Sequence, residues 1–357
     1  MGAMVLAAPA SGQAASGIPV APVLHARGAA VLDARTGALL WSLHGRRRMP
    51  MASTTKMMTA LVAMQLTHDR TSMTVTVPPQ VKRAYGEMIG LVPGDHYTLL
   101  QLMEGMLLPS ANDAAIAVAV DTAGSERGFV RLMNAQARRM GLTDTHFANP
   151  SGLDNPNQYA SAIDLARLGM AAMANPVIRR LVQMHAATIP WPHHSHLTHP
   201  ATRLIGNINQ LLTRFRGANG VKTGYTSEAM NVVVGSATRH GHPVIAVVMG
   251  EPALPLWQDE QRLLQYGFAL EAAGVRAPTS PSASPAVIAA LPQARLNTAA
   301  LPAVASAARG GGVPIGMVTV AAGAMAAVGL ALARRRRRRR RRTGSYGVFG
   351  PGPLEGD

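Results

Sequence analysis

Three short motifs limit what this chain can fold into, because they must meet in space and lie far apart along it. Ser53-Thr54-Thr55-Lys56, Ser110-Ala111-Asn112 and Lys222-Thr223-Gly224 occur in that order, separated by long stretches. Ser-x-x-Lys and Lys-Thr-Gly alone are short enough to occur by chance in many proteins. As an ordered set they supply a hydroxyl beside an amine, a polar pair, and a cationic strand. Only a fold that returns a late strand to the start of an early helix brings them together.

The patterning around the motifs supports such a fold. Ala29–Asp33 and Leu39–Ser42 are short apolar runs joined by Ala34-Arg35-Thr36-Gly37, which reads as a hairpin. From Ser53 the period becomes helical, with Met57, Ala60, Leu61 and Met64 recurring every three or four residues. Thr98 and Gln101 form a capping box before another helix. Ala114–Ala123 reads as a buried apolar helix, Ser125 opens one that ends near Met140, and Ser161 caps Ala162–Ala174 ahead of Asn175-Pro176. Gly220–Tyr225, Met230–Ala237 and Pro243–Gly250 read as strands, with a tight turn over Thr238–His242 and a closing helix at Trp257–Ala273. Strands at both ends of a helical middle predict an α+β domain over residues 18–275. Its antiparallel sheet would be flanked by helices, with an all-helical lobe inserted.

The ends of the chain differ from this body. Residues 276–312 are rich in Ala, Pro, Ser and Gly, too poor in large apolar side chains to offset ordering entropy, and read as a flexible linker. Val313–Ala333 carries no charge, long enough as a transmembrane helix to cross about 30 Å of hydrocarbon. Nine arginines, Arg334–Arg342, follow directly as a stop-transfer signal. The positive-inside rule places the tail, residues 334–357, in the cytoplasm and the 18–275 domain outside the cell membrane. Residues 1–17 are small and apolar and resemble the latter part of a secretory signal without its charged start. The net charge of +16 is inflated by the arginine run, so no nucleic-acid partner is expected. The absence of cysteine excludes disulfides, iron–sulfur clusters and thiol catalysis.

The motifs have a common chemical reading. A serine hydroxyl needs a base to attack at neutral pH. Residues three apart on a helix share a face, which puts Lys56 behind Ser53. Burial and neighbouring cations would leave Lys56 neutral and able to take the Ser53 proton. A helix N-terminus at Ser53 would place amides beside a developing oxyanion. Ser110, in a loop after Pro109, could relay a proton to a leaving amine, and Asn112 could hold a substrate amide. Lys222 and Thr223 offer a cation and a hydroxyl for a C-terminal carboxylate. Gly224 would let an extended peptide approach the strand, and the Tyr225 amide could be a second oxyanion donor.

The segments Met51–Ala60, Ser110–Ala114, Phe147–Asp154 and Gly220–Thr226 resemble the D-alanyl-D-alanine carboxypeptidases, the low-molecular-mass penicillin-binding proteins. The resemblance runs from about Arg27 to Ala273. It implies the β-lactamase/transpeptidase-like fold and a serine peptidase of cell-wall biogenesis. Ser53 would be acylated, Lys56 would accept its proton, Ser110 would relay, and Lys222 would bind the substrate carboxylate. The partners implied are peptidoglycan stem peptides, with β-lactams as covalent inhibitors, and a C-terminal membrane anchor. No metal or organic cofactor is implied. Two departures stand out. Residues 276–312 cannot make the second β-rich domain frequent in the family, and Glu251–Gln261 lacks the arginine that some members use to help hold the carboxylate.

Two other functions fit less well. A class A β-lactamase needs a glutamate between the second and third motifs to activate water, and none lies between Glu126 and Glu228. A non-catalytic wall-binding protein would be expected to have lost one of Ser53, Lys56, Ser110 or Lys222. His193, His194, His196 and His199 lie among prolines without helical spacing and read as a solvated loop. The many helical methionines read as core filling.

Overall fold

The turn after the first strand is built by its last residue. Asp33 ends β1 (Gly28–Asp33), and its carboxylate accepts from the amides of Arg35 at 2.8 Å and Thr36 at 3.3 Å. This returns the chain as β2 (Leu39–Leu43), paired antiparallel to β1. The computed structural model describes residues 17–192 and 201–275. The expected linker, membrane span, arginine tail and histidine cluster lie outside these residues, as does residues 1–16 of the expected signal segment.

The other edge of the sheet comes from the end of the domain. β7 (Ala218–Thr226), β8 (Met230–Arg239) and β9 (His242–Glu251) form an antiparallel meander. β9 then pairs with β1, from Gly28↔Met249 to Asp33↔Val244. The order β2-β1-β9-β8-β7 leaves β7, the Lys222 strand, at one edge.

Both faces of this sheet are covered. Ala29, Val31, Val244, Ala246 and Val248 pack on α8 (Leu256–Ala272) through Leu263, Leu264 and Leu270. Their neighbours Ala30, Leu32, Ile245, Val247 and Met249 face the larger core. That core is shared with α1 (Lys56–Thr67) and α5 (Ala162–Ala174). Sheets covered on both sides read as continuous apolar runs, which is why these strands lack polar alternation.

The inserted part is richer than an all-helical lobe. It contains α2 (Leu99–Leu107), α3 (Asn112–Ala123) and α4 (Glu126–Arg139), with the Thr98–Gln101 capping box complete and Ser125 and Ser161 capping as expected. It also carries two short ribbons, β3 (Thr74–Thr76) with β4 (His96–Thr98), and β5 (Ala186–Pro190) with β6 (Thr202–Gly206). Strands of three to five residues leave too little alternation to detect. Asn175-Pro176 does not end the helical region. Asn175 caps α6 (Pro176–Gln183) by accepting from the amides of Val177 and Ile178, both at 3.0 Å, and proline is tolerated in a first turn. A one-turn α7 (Leu211–Arg214) precedes β7. Among the described residues, no helix is long and apolar enough to cross a membrane.

Candidate active site

Ser53 is not on the α-helix proper. It sits in a single 3-10 turn, Ala52–Thr55, that runs into α1 at Lys56. The tighter turn nearly eclipses residues three apart, and Lys56 Nζ lies 2.7 Å from Ser53 Oγ. α1 is buried almost all round, so it carries Lys56 into the interior, where the side chain is 0 % exposed.

The surroundings of Lys56 decide its charge. Its Nζ lies 2.7 Å from Asn112 Oδ1 and 2.6 Å from the Ser151 carbonyl. The Asn112 amide cannot turn round, because its Nδ2 donates to the Tyr85 carbonyl at 2.7 Å. A neutral amine has two N–H groups, and these two acceptors match them. The remaining lone pair then faces Ser53 Oγ, whose hydroxyl can donate to it. Burial, then the nearby Lys222, hold the Lys56 ammonium well below the usual lysine range, against the opposing pull of Glu87 and Asp113. Asn112 is therefore engaged on both sides within the protein. Its side chain orients Lys56 through Oδ1, a contact the sequence did not suggest, while Nδ2 carries a second hydrogen beyond the one given to Tyr85.

Ser110 lies between α2 and α3, as expected, with φ at +71° and 2 % exposure. Its Oγ is buried without a hydrogen-bond partner. A non-glycine residue held in left-handed backbone costs about 1–3 kcal/mol and is concentrated at functional sites. On β7, Lys222 is 1 % exposed and its Nζ donates to the Thr223 carbonyl at 3.0 Å. Burial pushes the Lys222 ammonium down to about 7, with Glu87 opposing. Thr223 Oγ1 is a second buried orphan. Tyr225 exposes its side chain, leaving the backbone as its contribution to the edge.

Gly224 has a reason to be glycine that the sequence did not suggest. A Cβ built there would lie 2.6 Å from the Ser53 amide nitrogen and 2.9 Å from the Ala52 methyl. The close approach is between β7 and the serine turn themselves. Gly152 also meets that turn, with φ +96° and a hypothetical Cβ in collision with the Ala52 carbonyl.

The 147–154 loop was recognised in the sequence without a role for its residues. Asn149 Oδ1 accepts from the amides of Ser151 at 3.2 Å and Gly152 at 2.7 Å, and Thr59 Oγ1 donates to the Pro150 carbonyl at 2.7 Å. These bonds aim the Ser151 carbonyl at Lys56. The Asn149-Pro150-Ser151-Gly152 turn composition was the available signal. Asp154 accepts from Thr226 Oγ1 at 2.6 Å and ties the loop to the end of β7. A hollow of about 500 Å³ elsewhere, between residues 19–22 and α8, is open and holds none of the motif residues.

The chain matches the family model described as D-alanyl-D-alanine carboxypeptidase over residues 16–253. It is 38 % identical over 248 residues to a D-alanyl-D-alanine carboxypeptidase of Mycobacterium tuberculosis, covering 67 % of this chain and 81 % of that relative. A Bacillus subtilis enzyme of the same description is 33 % identical over 249 residues, covering 68 % of this chain and 62 % of the relative. Among solved structures, a Streptomyces DD-transpeptidase superposes with a TM-score of 0.66 at 31 % identity, over 70 % of this chain and all of the other. A D-alanyl-D-alanine carboxypeptidase from M. tuberculosis gives 0.65 at 34 % identity, over 71 % and 95 %.

Proposed function

The chain belongs to the D-alanyl-D-alanine carboxypeptidase family, and from that membership and the site geometry we infer that it is a serine-type peptidase acting through an acyl-enzyme on Ser53. Its substrates are the stem peptides of peptidoglycan, and β-lactams acylate the same hydroxyl. One observation carries the role of Ser53: the only unfilled hydrogen-bonding position of a neutral Lys56 faces its Oγ.

The steps follow from the groups in place. Lys222 and Thr223 Oγ1 bind the terminal carboxylate of the D-Ala-D-Ala peptide, whose charge raises the Lys222 pKa and keeps it cationic. Ser53 Oγ attacks the penultimate carbonyl carbon as Lys56 Nζ takes its proton. The amides of Ser53 and Tyr225 receive the oxyanion. Ser110 passes the proton to the leaving nitrogen, the C–N bond breaks, and D-alanine departs. Water then hydrolyses the ester with the same lysine as base. The buried hydroxyls of Ser110 and Thr223 support these assignments, since no group of the protein competes for them. Among the described residues, no carboxylate hydrogen-bonds Ser53 or Lys56, which favours the peptidase over a β-lactamase that drives water with glutamate.

Val313–Ala333 followed by Arg334–Arg342 supports a single-pass membrane anchor, with the peptidase outside the cell and the tail in the cytoplasm. The test incubates the protein with a labelled β-lactam and a D-Ala-D-Ala peptide, beside Ser53→Ala. A stable adduct on Ser53 and released D-alanine are expected, both lost in the variant. An unlabelled Ser53 would refute the acyl-enzyme, and an adduct without D-alanine release would refute the peptidase.

A further inference from the structure

The segment after β9, where a helper arginine was missing, is acidic and partly unsatisfied. Glu251, the last residue of β9, is 0 % exposed, no N–H or hydroxyl of the protein donates to its carboxylate, and its side-chain partner is the Asp259 carboxyl. Asp259, on α8, is also 0 % exposed. Its Oδ2 accepts from the His25 amide at 2.7 Å and lies 2.9 Å from His25 Nδ1, while Oδ1 accepts from Arg262 Nη1 at 3.0 Å. One ligand atom from each of His25, Glu251 and Asp259 falls within 4.8 Å of the others. Glu260 adds a third buried carboxylate nearby, which meets the backbone of Gly235. Arg262 is the one guanidinium hydrogen-bonded to this group among the described residues.

An ionised buried carboxylate with no donor is among the costliest groups a fold can contain, and such groups are paired, neutralised or metal-bound. We propose that His25, Glu251 and Asp259 form a site for a divalent cation of the zinc class. One imidazole and two carboxylates without thiolate suit such an ion. Tetrahedral ligands about 2.0–2.2 Å from zinc lie about 3.3–3.6 Å from each other, so the 2.9 Å hydrogen bond between His25 Nδ1 and Asp259 Oδ2 opens by about half an ångström to admit the ion. The His25 side chain is 57 % exposed, which gives the ion a way in and leaves a coordination position for water. The ion would clamp the segment before β1 to the end of β9 and to α8. It is separate from the Ser53 chemistry, because Glu251 belongs to a strand two removed from β7.

The test uses the full chain, stripped with a chelator, desalted and titrated with zinc at neutral pH against a chromogenic competitor. The sequence also carries His193, His194, His196 and His199, so the result is read as a difference between variants. The parent is expected to bind one zinc more than either Glu251→Gln or His25→Ala. Zinc should raise its Tm by about 3 °C or more, a shift absent in both variants. Lactam labelling of Ser53 should be the same in all three proteins and report their folding. His25→Ala changes an exposed side chain and decides the matter alone if Glu251→Gln fails to fold. Equal zinc stoichiometry in parent and folded variants, or no zinc-dependent Tm shift in the parent, overturns the proposal in favour of carboxyls that share a proton.

Discussion

At the scale of single residues, the site works by limiting what Lys56 can do with its protons. Two acceptors and one hydroxyl surround its nitrogen, and Asn112 is one of the acceptors because Tyr85 holds its amide in one orientation. Asn112→Ala should therefore slow lactam acylation by about 100-fold with a small effect on stability, by leaving the base without orientation. Asn112→Asp is the sharper probe. A carboxylate there holds Lys56 charged, so the acid limb of the acylation pH profile should move up by about one unit or more. An unmoved limb would exclude Lys56 as the base. Lys222 offers a stability test. Its pKa is near 10.5 unfolded and about 7 folded, so between those values the unfolded chain carries the extra proton. Stability should then rise with pH across that window. Lys56 adds in the same direction. Urea midpoints measured from pH 7 to 9.5 should show the rise, and Lys222→Met should flatten it. The chemical types were legible in the sequence, since Ser-x-x-Lys spacing places amine beside hydroxyl on any helical turn. The part played by Asn112 was not, because it depends on a carbonyl in a different loop.

At the scale of elements, the site is a junction of three segments that touch through backbone. The 3-10 turn carrying Ser53 meets both the 147–154 loop and β7, each through a glycine. Gly224→Ala should push β7 away from the Ser53 amide. Acylation would fall by more than tenfold, with about 1–3 kcal/mol of lost stability from the clash. Lactam labelling and thermal melting of the variant measure the two effects, and normal labelling would show that the contact does not set the oxyanion site. A second device holds the rim. Asp113, buried at the start of α3, accepts from the amides of Ile89 at 3.1 Å and Leu91 at 2.9 Å. Asp113→Ala leaves those donors unpaired, and limited proteolysis should then cut between Tyr85 and Val92, where the parent resists. Caps and periods made most helices and the long strands readable, because their signals are local. The two ribbons and α6 were not read, being too short for a period or hidden behind a proline.

At the scale of the whole molecule, one sheet is the floor of two cores, with α8 beneath it and the catalytic helices above. A change under the sheet should therefore weaken the whole domain. Leu263→Ala, on the α8 side, should cost about 2–5 kcal/mol in a single transition that also abolishes lactam binding. Separate loss of near-ultraviolet signal and of labelling would contradict that coupling. What the amino-acid order determined alone is the set of chemical groups, their sequence along the chain and the elements that carry them. Each of these depends on neighbours within a turn or two. What only the tertiary structure decided is which partner each group faces. The Ser151 carbonyl on Lys56, the two glycines against the serine turn and His25 against Asp259 are contacts between distant segments. Several of them use backbone atoms, which every residue has, so no side-chain pattern announces them.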